Sequence, residues 1–259
     1  MQQTILITGA SRGLGKALAL RLARADVKLL LWARNESALA EVAALCQAKE
    51  ALVETLAIDL VDTDAVKQAA LNSGAVDVIY VNAGLFDGAR STNAMEELDS
   101  ELAVIDVNLR SVIALVNTAV RQMRVRGKGH IVFISSLAAT FPLADAAAYS
   151  ASKAGLSAYA ESLRQKLRRD GIDVTDVRPG HIGTDMASVH DGPLPMVISA
   201  DQAANLIVAK VTAGRSFVSF PWPLNWGTWI TQFLPAWARS MIAETQRFNI
   251  KDNEEGRKK

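Results

Sequence analysis

The sequence predicts an α/β fold, a doubly wound parallel sheet with helices on both faces. Three observations predict it. Short β-branched apolar runs alternate with alanine- and leucine-rich stretches of helical length. The runs are nearly continuous in apolar residues rather than strictly alternating, as strands buried on both faces read. Residues with chemistry to offer follow the runs directly, where ligands of such sheets bind, beyond the carboxyl ends of the strands.

The run 4–8 ends at Gly9, as a buried strand does, and 13–25 behind it has helical length and composition. The alternation repeats as 28–32 with 36–48, 52–58 with 62–73, and 76–81 with 96–126. It continues as 130–135 with 147–170 and 173–177 with 200–213, and a last strand falls at 216–220. Seven strands result, and right-handed crossovers fix most of their topology.

Length and composition suit one such domain. The chain has 259 residues, a formal net charge of +1 and 50% hydrophobic residues. No repeat or Pro/Gly-rich linker divides it. Near-neutral charge gives no electrostatic footprint for nucleic acid. The single cysteine, Cys46, has no partner for an intrachain disulfide or a metal site, and reads as a small buried apolar residue. No metal is expected. The start, "MQQTILITGAS", lacks a basic segment and a long apolar core, so the expected location is cytoplasmic.

After the first strand comes "TGASRGLGKAL". Gly9, Gly13 and Gly15 let the backbone turn sharply and approach a pyrophosphate, and the helix behind them offers free N–H groups and a positive dipole end. The turn residues Gly9, Ser11, Arg12, Gly13, Leu14 and Gly15 are therefore assigned to a dinucleotide. The second strand ends "LLLWARN", with Ala33 and then Arg34 where folds of this kind that prefer NAD carry an acid. Arg12 and Arg34 without a carboxylate suit a 2′-phosphate, so NADP(H) is expected over NAD(H). In "LAIDL", Asp59 is placed to accept from the adenine amino group with Leu60 beside the ring; helix capping is the rival role, for which Asp62 is better placed. Asn82, Ala83 and Gly84 of "VNAG" are assigned to the adenosine half.

The fifth strand ends at Ser135 and Ser136, and "AYSASKAG" follows with Tyr149 and Lys153 four apart, on one face of a helix. A cation beside a phenol favours phenolate. Such a tyrosine exchanges a proton with a carbonyl oxygen near neutral pH, and Ser136 is placed to bond the same oxygen.

In their order, "TGASRGLG", "VNAG", Asn108 in "DVNLRS", "ISS", "YSASK" and "RPGHIGT" make the chain resemble a short-chain dehydrogenase/reductase over roughly residues 4–220. The resemblance implies a Rossmann-type catalytic domain, 1–220, and a set of roles. Tyr149 is the acid in reduction and the base in oxidation. Lys153 bonds the nicotinamide ribose and lowers the tyrosine's pKa, and Ser136 polarises the carbonyl. Asn108 bends a helix and holds a water in a relay to Lys153. Pro179 and Gly180 open a loop in which Ile182 and Thr184 hold the carboxamide. The same resemblance implies a homodimer through 96–126 and 147–170. Val81 and Ala139 depart from the usual residues, and Ala139 is expected to narrow the substrate side. His181 and His190 are loop residues near the expected substrate.

The loop 185–199 mixes glycine, proline and apolar side chains, including Met186, Val189, Leu194, Met196 and Val197. The family places a lid here, and its composition points to an apolar carbonyl or alcohol substrate. A 3-oxoacyl thioester or a keto sugar stays open. Outside that class stand a non-catalytic dinucleotide-binding scaffold and a membrane-surface protein.

Beyond Phe220 the chain appends a tryptophan-rich extension and polar tail, 221–259. Four of the five tryptophans fall at 222, 226, 229 and 237, and no charge occurs from 216 to 238. A helix is expected over about 224–234 and a second after Pro235. Prolines interrupt the stretch, which argues against a span. The favoured reading is a cap packed on the domain or a neighbour; peripheral membrane contact through 221–242 is the alternative. The "NEEGRKK" ending reads as a solvated end.

Overall fold

The structure is a computed structural model that describes residues 2–91, 94–184, 190–191, 194–245 and 247–250. Its first half runs β1 (Gln3–Thr8), α1 (Gly13–Leu22), β2 (Val27–Ala33), α2 (Glu36–Gln47), β3 (Leu52–Ala57), α3 (Thr63–Asn72) and β4 (Val78–Val81). Then come α4 (Leu98–Ile105), α5 (Ser111–Arg126), β5 (Gly129–Ile134), α6 (Ala147–Leu167) and β6 (Ile172–Pro179). Three two-residue strands follow, β7 (Ile182–Gly183), β8 (His190–Asp191) and β9 (Ile198–Ser199). The chain continues with α7 (Ala200–Thr212), β10 (Phe217–Phe220), α8 (Trp222–Thr231), α9 (Ala236–Glu244) and β11 (Asn249–Ile250).

Seven strands form one sheet in the order β10-β6-β5-β4-β1-β2-β3, every neighbouring pair parallel. The order reverses between β1 and β4, which opens a crevice at the carboxyl ends of those two strands. Apolar side chains of α1, α2 and α7 cover one face, among them Leu18, Leu39 and Ile207. Those of α3, α5 and α6 cover the other, among them Val66, Val116 and Leu156. The inner strands are therefore buried on both faces, as continuous apolar runs require, while the edge strand β3 is largely exposed.

Caps end several helices where the sequence supplies them. Asp62 accepts from the backbone N–H groups of Asp64 and Ala65 and starts α3. Ser199 and Gln202 close a reciprocal box at the start of α7.

The single helix expected over 96–126 is α4 and α5 joined by a π-helical turn, Asp106–Arg110. Asn108 sits in that turn and is fully buried. A wider turn frees room for one side chain to leave the helix and bond elsewhere, which is where π turns find use.

Candidate active site

At the crevice, Gly9 and Gly13 have φ of 66° and 53°, a region that favours glycine. A Cβ on Gly15 would lie 2.0 Å from the Gly9 carbonyl oxygen, so the turn closes only because that position is bare. Arg12 is the N-cap of α1 and contributes no capping side-chain bond, and the first turn carries no acid. The turn thus fits the pyrophosphate of a dinucleotide: small residues at the close approaches and an open helix N-terminus.

Asn82 ties the two strands of the crevice together. Its Nδ2 donates to the carbonyls of Thr8 (2.9 Å) and Gly9 (3.3 Å). The backbone N–H groups of Asn82 and Ala83 both donate to the Thr8 hydroxyl at 3.0 Å. Asn82 therefore fastens the glycine turn to the end of β4. Across the crevice, a Cβ on Gly13 would meet Thr184 Cγ2 at 3.2 Å, so the segment after β6 closes on the turn. Ile182 is held there by pairing with Ile198, and the Gly180 N–H donates to the Phe220 carbonyl at 2.7 Å. Pro179 is the last residue of β6.

Farther along, Arg12 and Arg34 are exposed, Leu60 is buried and Asp59 is exposed. Asp59 accepts from the Val61 N–H at 3.1 Å, a local turn bond that leaves its other oxygen for a ligand.

The four expected chemical residues come together. Ser136 leaves β5 and accepts from the Ala138 N–H at 3.1 Å. Tyr149 lies in the first turn of α6, with the Ser136 side chain close enough to favour its phenolate. Lys153, one turn on, places Nζ 5.7 Å from the Tyr149 ring centroid and donates to the Ile134 carbonyl at 2.9 Å. Asn108 accepts from the Leu85 N–H (2.7 Å) and donates to the Leu85 carbonyl (2.9 Å) and Ser152 Oγ (3.0 Å). Gly84 fits between them: a Cβ there would lie 3.4 Å from Asn108 Oδ1 and 3.5 Å from Lys153 Nζ.

The electrostatics differ from the expectation. Burial raises the Tyr149 phenol above its usual range, and only the Ser136 side chain works the other way. Lys153 is lowered from 10.5 to about 8 by burial, with Asp176 opposing. The lysine therefore does not pull the phenol down in the protein alone. Both groups are out of water, and the ammonium bonds a backbone carbonyl rather than the phenol oxygen. Asp176 was not foreseen. It accepts from Arg178 Nε at 2.8 Å and lies 3.3 Å from Ser157 Oγ, which is 2.8 Å from Ser135 Oγ. It stands mid-strand on β6, with no motif to mark it.

A model of the short chain dehydrogenase family matches residues 3–192. An uncharacterized oxidoreductase of Myxococcus xanthus is 35% identical over 238 residues, covering 90% of this chain and 93% of its own. The chain belongs to the short-chain dehydrogenase family. It is an oxidoreductase of that family. Sepiapterin reductase of Chlorobaculum tepidum is 31% identical over 232 residues, 84% of this chain and 94% of that one. Among solved structures, a Sphingobium yanoikuyae short-chain dehydrogenase in complex with NADPH superposes with a TM-score of 0.78 at 26% identity, covering 94% of both chains. A metagenomic short-chain oxidoreductase in complex with NADP superposes with a TM-score of 0.71 at 32% identity, over 84% of this chain and 94% of that one.

For the extension of this short-chain dehydrogenase, the favoured expectation is a cap on the domain or a neighbour. The tail tryptophans keep much of their surface exposed: Trp222 is 72% exposed and Trp237 69%, with Trp226 and Trp229 about half exposed. The inward side of α8 is mixed: Thr231 is buried, Asn225 accepts from Ser219 at 2.8 Å, and Leu224 lies against Gly180. A cleft of about 250 Å³ separates Thr140, Phe141 and Pro142 from Gln232, Arg239 and Ala243, and the tryptophans are not among its lining residues. Of the expected lid, 185–189 and 192–193 lie outside the described residues, as do the His190 side chain and the ending 251–259. Met196 and Val197 are exposed. The His181 carbonyl accepts from the Ile198 N–H at 3.1 Å.

Proposed function

We propose that this chain is an NADP(H)-dependent carbonyl reductase, or alcohol dehydrogenase in reverse, acting on an apolar ketone. The observation that carries the reading is the convergence of Ser136, Tyr149 and Lys153 beside the glycine turn. A bound nicotinamide would supply or accept the hydride. Gly9, Ser11, Gly13, Leu14 and Gly15 would hold its pyrophosphate, and Asp59, Leu60, Asn82, Ala83 and Gly84 its adenosine. Pro179, Gly180, Ile182 and Thr184 would hold the nicotinamide side. Arg12 and Arg34 would take a 2′-phosphate, a reading supported by the NADPH- and NADP-bound relatives.

In reduction the Tyr149 hydroxyl gives its proton to the substrate oxygen, and Ser136 donates a hydrogen bond to the same atom. In oxidation Tyr149 takes the proton back. Lys153, cationic below about pH 8, stabilises negative charge on the phenol oxygen as it forms. The π turn lets Asn108 hold Leu85 and border the Lys153 pocket. The apolar wall of Phe86 and Leu143 beside Tyr149 supports an apolar substrate over a keto sugar.

The test is NADPH oxidation over apolar ketones, acyl thioesters and keto sugars. Tyr149→Phe should lose about 10²-fold or more in kcat on the preferred ketone. Arg34→Ala should narrow the NADPH-over-NADH preference. Equal turnover by wild type and Tyr149→Phe would leave a dinucleotide-binding scaffold as the reading.

A homodimer through α4–α5 and α6 is supported by Leu98, Leu102 and Ile113, exposed apolar residues on α4 and α5. Native mass measurement should give a dimer, and Leu102→Asp a monomer. A wild-type monomer removes this assembly.

A further inference from the structure

The end of the described chain returns to the chemical site. Phe248 is only 4% exposed and Asp145 only 3%. Arg247 Nε lies 2.9 Å from both oxygens of the Asp145 carboxylate. The Phe248 N–H donates to one of those oxygens at 3.0 Å. These bonds join residues 102 and 103 apart in sequence. Asp145 lies just before α6, four residues from Tyr149. Its own carbonyl accepts from the Ala89 N–H at 2.8 Å, so the loop after β4 is tied to the same point. Asn249 and Ile250 then pair antiparallel with Asp191 and His190.

The latch holds an aromatic row. Phe248 stacks on Phe86 with ring centroids 6.1 Å apart and planes 22° apart. Phe86 meets the Tyr149 ring edge-on, with centroids 4.8 Å apart. A segment that served only to tidy the chain end would not need a carboxylate kept out of water for it. Burying the Asp145 carboxylate costs free energy that good geometry and added hydrogen bonds only offset. What its pair with Arg247 secures is the position of one ring. Phe86 lies between Tyr149 and Phe248, and Phe248 is pinned by its own N–H.

We infer that Phe248, latched by Arg247 to Asp145, is a specificity-determining residue. Through Phe86 it fixes the apolar wall beside Tyr149 and so limits the bulk of the ketone that reaches the phenol. The inference rests on the proposed reductase reading. It assigns to the extension a role in substrate size, carried by Phe248 and not by the tryptophans. Phe248 is a positioning residue for the wall, since Phe86 lies between it and the tyrosine ring.

The test uses the full chain with NADPH and a graded series of aryl ketones, from methyl to bulky second substituents. Phe248→Ala should raise kcat/KM for bulky ketones relative to small ones by about tenfold or more, the scale on which pocket volume discriminates. Phe248→Leu should fall between Ala and wild type. Arg247→Met should move the ratio the same way with Phe248 intact. A purely structural role would lower all substrates together and leave the ratio unmoved. Calorimetric titration of the same ketones reads the size limit without turnover. No turnover by wild type, with a binding limit that shifts in Phe248→Ala, removes the reductase reading and keeps the wall. An unchanged size limit in folded Phe248→Ala and Arg247→Met overturns the wall. Failure of wild type to bind any ketone counts against both.

Discussion

At Lys153 an ammonium is held out of water, with one backbone carbonyl at 2.9 Å and Asp176 as the charge that favours it. Its pKa falls from 10.5 to about 8, which corresponds to about 3 kcal/mol of burial cost at neutral pH. Between those values the unfolded chain binds the extra proton, so stability rises with pH across that window. Below pH 8 both states are protonated and the cost is present in full. Lys153→Met removes the titration. Urea midpoints should favour the variant most at pH 7 and progressively less toward pH 10. Any constant offset from the lost bond to Ile134 cancels in that trend. A pH-independent difference would show that the ammonium is not strained. Tyr149 and Lys153 were legible as residues because their spacing and neighbours are local. Their shifted pKa directions were not, because burial is a property of the packed site.

Among the elements, the π turn carries the clearest consequence. Asn108 satisfies both backbone groups of Leu85 from a fully buried position. Asn108→Ala would remove the partner of the part-buried Leu85 N–H and carbonyl, each costing up to about 1–3 kcal/mol if no water replaces it. Chemical denaturation should therefore show a loss of about 2–4 kcal/mol, accompanied by reduced turnover. A loss below about 0.5 kcal/mol, the range of surface substitutions, would mean that Leu85 finds other partners. The sequence places an asparagine where a helix former is expected, and that anomaly marks the position. The carbonyl and N–H it serves lie 23 residues upstream, in a loop whose path only the fold sets.

Seen whole, the molecule separates a dry sheet core from an aromatic outer face. Phe233 and Met241 join the tail tryptophans there, 72% and 65% exposed. α8 and α9 have 10 and 9 residues, each too short to span a bilayer. The one described helical stretch long and apolar enough to cross one, 98–126, buries Val112, Leu115, Val116 and Met123 against the sheet. An exposed tryptophan face of this kind suits the interfacial zone of a bilayer. The expected outcome is flotation of the wild type with phospholipid vesicles, lost in a Trp222→Ser, Trp229→Ser, Trp237→Ser variant. Equal flotation of the two would remove lipid contact as the role of this face.

Resemblance to the family marked Asn108, Ser136, Tyr149 and Lys153; the sequence by itself determined the strand and helix alternation and the glycine turn. Each depends on residue type at short spacing, where chain geometry permits few outcomes. Tertiary structure alone decided which way the tryptophans face and that Phe248 and Arg247 close on Asp145. An apolar residue reads the same in sequence whether it lies inside or outside. A contact across 102 residues has no local signature, because it exists only once both segments are folded against the same sheet.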